Sequence, residues 1–495
     1  MVRKSEVLLI AMVLAFVSST GLSFTWNSFR NQSTAGLLDD DYDLLLDPAR
    51  LPLIQGSRLY TSLANLVDKD EEVFSDADNG YWLVGGSTKL GEKACPGFIH
   101  DRYTLKTPSD FTLFKLDGTP MGFAGEGELV DSRFTDTDGN GTYDTRETQH
   151  QTAQGWTEDN LSDYYVAIGS YLGTARVGAL YLFSDESRDF IDPTDNFTLT
   201  KSDTNLISNG CTYHDVQVST GDSLEEMATH AFGLATWIPA GDKLLVGGQF
   251  LYGKGSSDWS TAWDFTRDTD SSPDDPEVDT YARDEGSTQT VPSSVSILSG
   301  GLRGIYNWTP NVETWLYLTL GQMSGDVGDD AQGEYHLFDE SRTTVGPGRI
   351  MLLSDTNRTV GDIAGDYSEK TMSLFSRTIA RLSDKVTFGI GLGFGTGNVE
   401  GSTTWDQARV DEHLEDDGDT QTNDPDDYTE TVVDTLDQSA KVTGATQTLA
   451  FPVGVEFEIK KPLDLRLGAA HQLSFGESTS TLTIKDSAAH HRVER

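Results

Sequence analysis

The sequence predicts an all-β fold, a transmembrane antiparallel up-and-down β-barrel of about 14 strands, and three observations predict it. Very short connections near Lys93, Gly173, Ala240, Pro310, Asp384 and Lys461 are each flanked by runs in which apolar residues alternate with small or polar ones. Between successive hairpins lie long, acidic stretches rich in Gly and Asp. No apolar run beyond the N-terminus is long enough for a spanning helix, so a membrane form of this chain must cross with strands. A closed barrel leaves only one end free to elaborate, which gives short turns on the inner side and long acidic loops on the outer.

The clearest strand runs from Lys385 to Gly397. Val386, Phe388, Ile390, Leu392 and Phe394 occupy one parity, and Lys385, Thr387, Gly389, Gly391, Gly393 and Gly395 the other. Strand side chains point to opposite faces with period two, so one face is continuously apolar and the other nearly bare. A soluble sandwich strand would look the same in isolation. Repetition favours the barrel: Val177, Ala179, Tyr181 and Phe183 follow the rule, as do Leu316, Leu318 and Leu320, then Val453, Val455, Phe457 and Ile459, then Leu463, Leu465, Leu467 and Ala469. The opposite parity carries Arg176, Arg303, Arg377, Arg381, Glu456, Glu458, Arg466 and Gln472, groups that a wet lumen accepts and lipid rejects. These are the candidate lumen or pore residues. Trp237, Trp308 and Trp315 lie near short turns and are expected at the membrane interface.

Residues 1–23 read as a signal peptide. Arg3 and Lys4 precede the apolar stretch Val7 to Val17 and the small residues Ser18, Ser19 and Gly21. Residues 24–57 then form an N-terminal periplasmic or plug segment, 58–485 the barrel, and 486–495 a C-terminal tail. The first strand is expected at Arg58 to Leu66 and a short return strand near Ser480 to Ile484. The chain stops at Arg495 without the terminal aromatic that many such barrels carry, so further strands are expected beyond it. This organisation implies residence in a bacterial outer membrane, contact with its lipid, and insertion by barrel-assembly machinery.

A net charge of −43 argues against nucleic acid as a partner, because phosphate binding needs a basic surface. The acid is concentrated in runs such as Asp268 to Glu285 and Glu415 to Glu430, where solvation is the plain reading and cation capture the sharper one. Cys95 falls near a short turn and Cys211 in a long connection, so the barrel wall should hold them about 30 Å apart and no disulfide is expected between them. No His-Glu-x-x-His, nucleophile elbow, Cys-x-x-Cys or phosphate-cradling loop appears, and an enzyme is not expected.

One loop has metal-ligand spacing. Asp136, Asp138, Asn140, Gly141, Thr142, Asp144 and Glu147 occupy positions 1, 3, 5, 6, 7, 9 and 12 of an EF-hand calcium loop. Alternate oxygens converge on one ion, Gly141 makes the bend, Thr142 lends a carbonyl and Glu147 closes the shell. A merely acidic turn is the alternative, and no entering helix is evident in Leu129 to Thr135. A structural Ca2+ site is the expectation.

The segment Asp41, Tyr42, then Asp47-Pro48-Ala49-Arg50-Leu51, leading into Arg58 to Leu66, resembles the N-terminal region of FadL-like long-chain fatty-acid transporters and related PorV-like outer-membrane proteins. Asp47 stands where that family usually has Asn. The resemblance covers about 25 residues and implies a 14-stranded barrel, a lumenal plug containing Asp47, Pro48 and Ala49, and passage of small hydrophobic molecules or a role in export. A general porin, or a calcium-holding adhesive or structural surface barrel, are the competing expectations. For the calcium loop we expect cleavage between Leu129 and Trp156 in limited proteolysis to increase with chelator and with Glu147→Gln. Cleavage that ignores both leaves an acidic turn.

Overall fold

Short turns, regular alternation and cross-strand pairing build a barrel from one antiparallel sheet. A computed structural model describes residues 33–39, 43–62, 79–91, 93–136, 145–203, 211–270, 279–346, 349–416, 428–460 and 463–494. The wall opens with β1 (Arg58–Ser62), β2 (Asn79–Ser87) and β3 (Ala94–Pro108). A small excursion follows, β4 (Asp110–Phe114), β5 (Pro120–Ala124) and β6 (Glu126–Thr135). Long strands continue as β7 (Thr145–Leu172), β8 (Ala175–Asp203), β9 (Cys211–Pro239), β10 (Leu244–Asp270) and β11 (Asp279–Thr309). The remainder are β12 (Val312–Val327), β13 (Gln332–Gly346), β14 (Arg349–Ser383), β15 (Val386–Asp416), β16 (Tyr428–Lys460) and β17 (Leu463–Glu494).

These 17 strands occupy fewer wall positions. β3 and β6 pair with successive parts of β7, and β12 and β13 with successive parts of both β11 and β14, so each couple serves as one interrupted stave. β4 and β5 form a side hairpin. Thirteen described positions result, against the expected 14. The expected return strand near Ser480 to Ile484 and the described part of the expected tail at 486–495, residues 486–494, are both absorbed into β17, which pairs with β16 without interruption from Gln438↔Ile484 to Tyr428↔Glu494. The pattern misled there because polar residues dominate that end of β17, whereas ladder pairing needs no apolar side chain. Residues 1–32, and with them the expected signal peptide, lie outside the described residues.

Gly173, Ala240, Pro310 and Asp384 all fall in the short connections as expected. At the turn end each long strand presents an apolar outward belt. On β10 it comprises Val246, Phe250 and Tyr252, and it gives way to Lys254, Ser256 and Asp258. On β15 the outward Ile390, Leu392 and Phe394 are exposed while Gly389 and Gly393 are buried. The belt is the height of roughly 9–11 residues that a tilted bilayer-crossing strand needs.

The strands do not stop there. β10 has 27 residues and β14 has 35, so at about 3.3 Å per residue a stave is on the order of 100 Å long. Where they are described, the stretches expected to be long acidic loops are therefore sheet. Ion pairs and hydrogen bonds reconcile their composition with that state: across strands Arg267 binds Asp215 through two hydrogen bonds of 3.0 Å and the Tyr335 hydroxyl donates to Glu285 at 2.9 Å, while along β11 Arg283 pairs with the same Glu285. The tips of these extensions, including 271–278 and 417–427, lie outside the described residues.

Two measurements follow. Ile390→Arg should destabilise the barrel by about 2–4 kcal/mol if Ile390 sits near the midplane, while Asn398→Arg, on the same parity beyond the belt, should cost about 0–1 kcal/mol; equal costs in a folding titration would deny a lipid-facing belt. An impermeant thiol reagent applied to intact cells should label Cys211, at the far end of β9, and spare Cys95, which is free and buried at the turn end of β3. Equal labelling would overturn this topology.

Candidate functional site

The bare inner face of the wall is a seat for the N-terminal segment. Residues 33–39 and 43–57 run through the lumen as a chain of turns with one 3-10 turn, Leu51–Leu53. Strand glycines make the close approach feasible. A Cβ on Gly454 would stand 2.6 Å from the Thr34 carbonyl oxygen, one on Gly468 2.6 Å from the Ala35 nitrogen, and one on Gly389 3.1 Å from the Leu37 Cβ. Gly169 and Gly178 approach Pro48 more closely still. The alternating glycines of β15 are thus the clearance for the plug, and Gly391→Ser would meet Leu37 and Pro452.

Apolar packing fills the space between plug and wall. Leu45, Leu51 and Ile54 are fully buried among Leu83, Cys95, Ile99, Tyr165, Ala167, Leu182 and Ala231. Ala49 packs with Ala235, Trp237, Ile305 and Trp315. The Tyr165 hydroxyl donates to the Leu45 carbonyl at 2.7 Å.

Two inward arginines latch this segment. Arg303, from β11, donates to both carboxylate oxygens of Asp47 at 2.8 and 3.0 Å, and the Trp237 indole N–H donates to Asp47 at 2.9 Å. Asp47 also accepts the Ala49 backbone N–H at 3.1 Å, which tightens the Asp-Pro-Ala turn. Arg377, from β14, donates to both oxygens of Asp39 at 2.8 and 2.6 Å and to the carbonyls of Leu37 and Gly36 at 3.1 and 3.2 Å. Arg50 adds a 3.0 Å hydrogen bond to Asp39. Aromatic faces cover the cations: Arg303 lies 4.4 Å from the Trp237 ring centroid, and Arg377 and Arg50 each 4.8 Å from that of Trp315. Paired Arg–carboxylate forks of this kind are strong and directional.

The expected interface role of Trp237 and Trp315 is therefore wrong. Both are buried on the lumen side, because odd positions of β9 and β12 face inward there; Trp308 alone of the three is exposed. A different aromatic cluster marks the far edge of the outward belt. His100 stacks on Tyr164 at 4.0 Å and meets Trp82 edge-on at 4.5 Å, and Phe183 lies 4.8 Å from His230.

Of the other expected lumen residues, Arg176 is buried in the wall beside the plug. Glu456 and Arg466 form a 2.7 Å cross-strand pair near the end of β16 and the start of β17, where Arg466 also reaches Asp464 at 3.0 Å. Arg381 and Glu458 share the inward parity near the same end. These four rim the turn end, away from the plug contacts.

Of the expected calcium ligands, Asp138, Asn140, Thr142 and Asp144 lie outside the described residues. Asp136 follows β6, and Glu147 is on β7 directly opposite Arg133, which donates to it at 3.1 and 2.5 Å. Asp39 is a functional residue that the sequence pattern did not single out, its one signal a position in the acidic segment before Asp47; Arg50 stood in the resembling run without a role assigned to it.

Asp39 is electrostatically distinctive. Burial raises its pKa, but the hydrogen bonds and charges of Arg377 and Arg50 outweigh burial and hold the carboxyl at about 2, below its ordinary 3.8. A depressed carboxylate contributes stability above its unfolded pKa and loses it as pH falls through the folded value. Plug retention should accordingly persist from pH 4 to about pH 3 and fail near pH 2, read as pepsin cleavage within 33–57. Asp39→Asn should be cleaved across the whole range, and release of the native plug near pH 4 would contradict the latch.

No family model matches the chain, and no curated protein matches it. Among solved structures, the crystal structure of a Pseudomonas aeruginosa FadL homologue aligns over 92% of this chain and 97% of its own, with 9% identity and a TM-score of 0.19. That score is too low for the likeness to bear on function. The barrel and its plug stand on their own geometry.

Proposed function

We propose that the protein is an outer-membrane barrel whose N-terminal plug controls passage of small, hydrophobic molecules. The observation that carries this reading is the pair of segments 33–39 and 43–57 seated in the lumen and held by the Asp39–Arg377 and Asp47–Arg303 pairs. An open porin needs no such segment. A plug fastened by a few charge-assisted contacts, by contrast, can be displaced without unfolding the wall. The apolar seat formed by Leu45, Leu51, Ile54, Ile99 and Leu182 suits apolar cargo better than ions.

A second reading has its own observation. Most of each stave extends past the belt, and an anchor that displays a long sheet at the cell surface would also be built so.

Conductance separates the readings. Protein reconstituted in planar bilayers should show little steady current, deletion of 39–54 should open it, and Arg377→Gln should raise the frequency of openings. A large current in the intact chain favours the general porin. Folded protein without current in all three forms favours the surface anchor.

A further inference from the structure

The wall beyond the belt carries a cluster that the plug does not use. Asp264 on β10, Asp284 on β11 and His336 on β13 come from three adjacent staves and project to the outer face. The His336 Nε2 lies 3.5 Å from an Asp284 oxygen and 4.0 Å from an Asp264 oxygen, and all three ligand atoms fall within 4.8 Å of one another. Zinc with bonds of about 2.0 Å in tetrahedral array separates its ligand atoms by roughly 3.3 Å. Small rotamer movements would close the remaining gap.

The sheet register leaves room for this convergence. Gly286 stands opposite Asp264 on one side and opposite His336 on the other. A Cβ there would lie 2.6 Å from the His336 ring and 2.9 Å from an Asp264 carboxylate oxygen, so any other residue would push the two ligands off this position. The groove holding the triad, about 620 Å³, is also lined by Asp189 and Asp222 and by no Lys or Arg among the described residues. Its field favours a cation, and nothing in its lining neutralises the two carboxylates except His336 or a bound ion.

We infer that Asp264, Asp284 and His336 bind a divalent cation of the zinc class, with a fourth position left to water. One imidazole with two carboxylates selects a borderline metal over calcium, which takes more oxygens and no nitrogen. The ion ties three staves together far beyond the membrane belt, where backbone pairing and ion pairs otherwise hold the extension. The site is independent of the plug and of the spacing at Asp136 to Glu147.

Co2+ titration of the full-length, detergent-solubilised and chelator-stripped protein tests this. The native chain should bind with a strong visible absorption band typical of a four-coordinate site, displaced by Zn2+. His336→Gln should abolish the band, and Asp264→Asn or Gly286→Ala should weaken binding about tenfold or more, with far-UV circular dichroism and heat-modifiable gel migration unchanged. Absence of a saturable band, or equal binding by native and His336→Gln protein, would overturn the proposal and leave the triad as a His–carboxylate ion-pair network.

Discussion

Two guanidinium groups buried on the inner wall govern the architecture. Arg303 and Arg377 project into a lumen too crowded to hydrate them freely, and each needs a fixed anion. Asp47 and Asp39 supply these from the N-terminal segment. Removing one partner of such a pair typically costs about 3–5 kcal/mol, because a charge is left buried and uncompensated. The two pairs therefore hold the plug in place, while the backbone ladders hold the wall. Asp at position 47, where the resembling family usually carries Asn, is answered by the charge of Arg303.

Glycine and aromatic residues adapt the wall to this load. On β15, β16 and β17 the inward positions opposite Thr34, Ala35 and Leu37 are Gly, since any side chain would collide with plug backbone or side chain. On β9 and β12 the inward positions are Trp237 and Trp315, whose rings cover the arginines and fill the remaining space. Small residues thus lie where plug atoms come against the sheet backbone, and large ones where a ring bridges to Asp47, Ala49 and Arg50. Outside, the same strands show an apolar belt and then a polar surface, where Lys441 of β16 pairs with Glu400 of β15 at 2.9 Å.

Alternation made the barrel, its turns and the inward arginines legible, because period two follows directly from strand geometry. The lumenal place of Asp47, Pro48 and Ala49 was implied by the resemblance of that segment and not by alternation. What it could not supply is depth or what lies across a face. Trp237 and Trp315 carry a signal equally suited to lipid headgroups or to a plug. The glycine run of β15 reads as a bare surface until Leu37 is seen against it. Acidic composition suggested loops, yet strands such as β10 and β14 keep their ladders through those stretches because Asp and Glu find Arg and Tyr across the sheet. The cluster of Asp264, Asp284 and His336 spans 72 residues of sequence and depends on register between β10, β11 and β13, which no local pattern reveals.

The central claim is that residues 33–39 and 43–57 are a folded part of the barrel interior. Hydrogen exchange on the peptide covering 45–54 tests it most directly, because the amides of Arg50, Leu51, Leu53 and Ile54 are all hydrogen-bonded within the plug. Protection comparable to that of the belt strands in the native protein, lost in Arg303→Gln while the strands stay protected, is the predicted result. Exchange of that peptide at the rate of an unstructured chain would contradict the account.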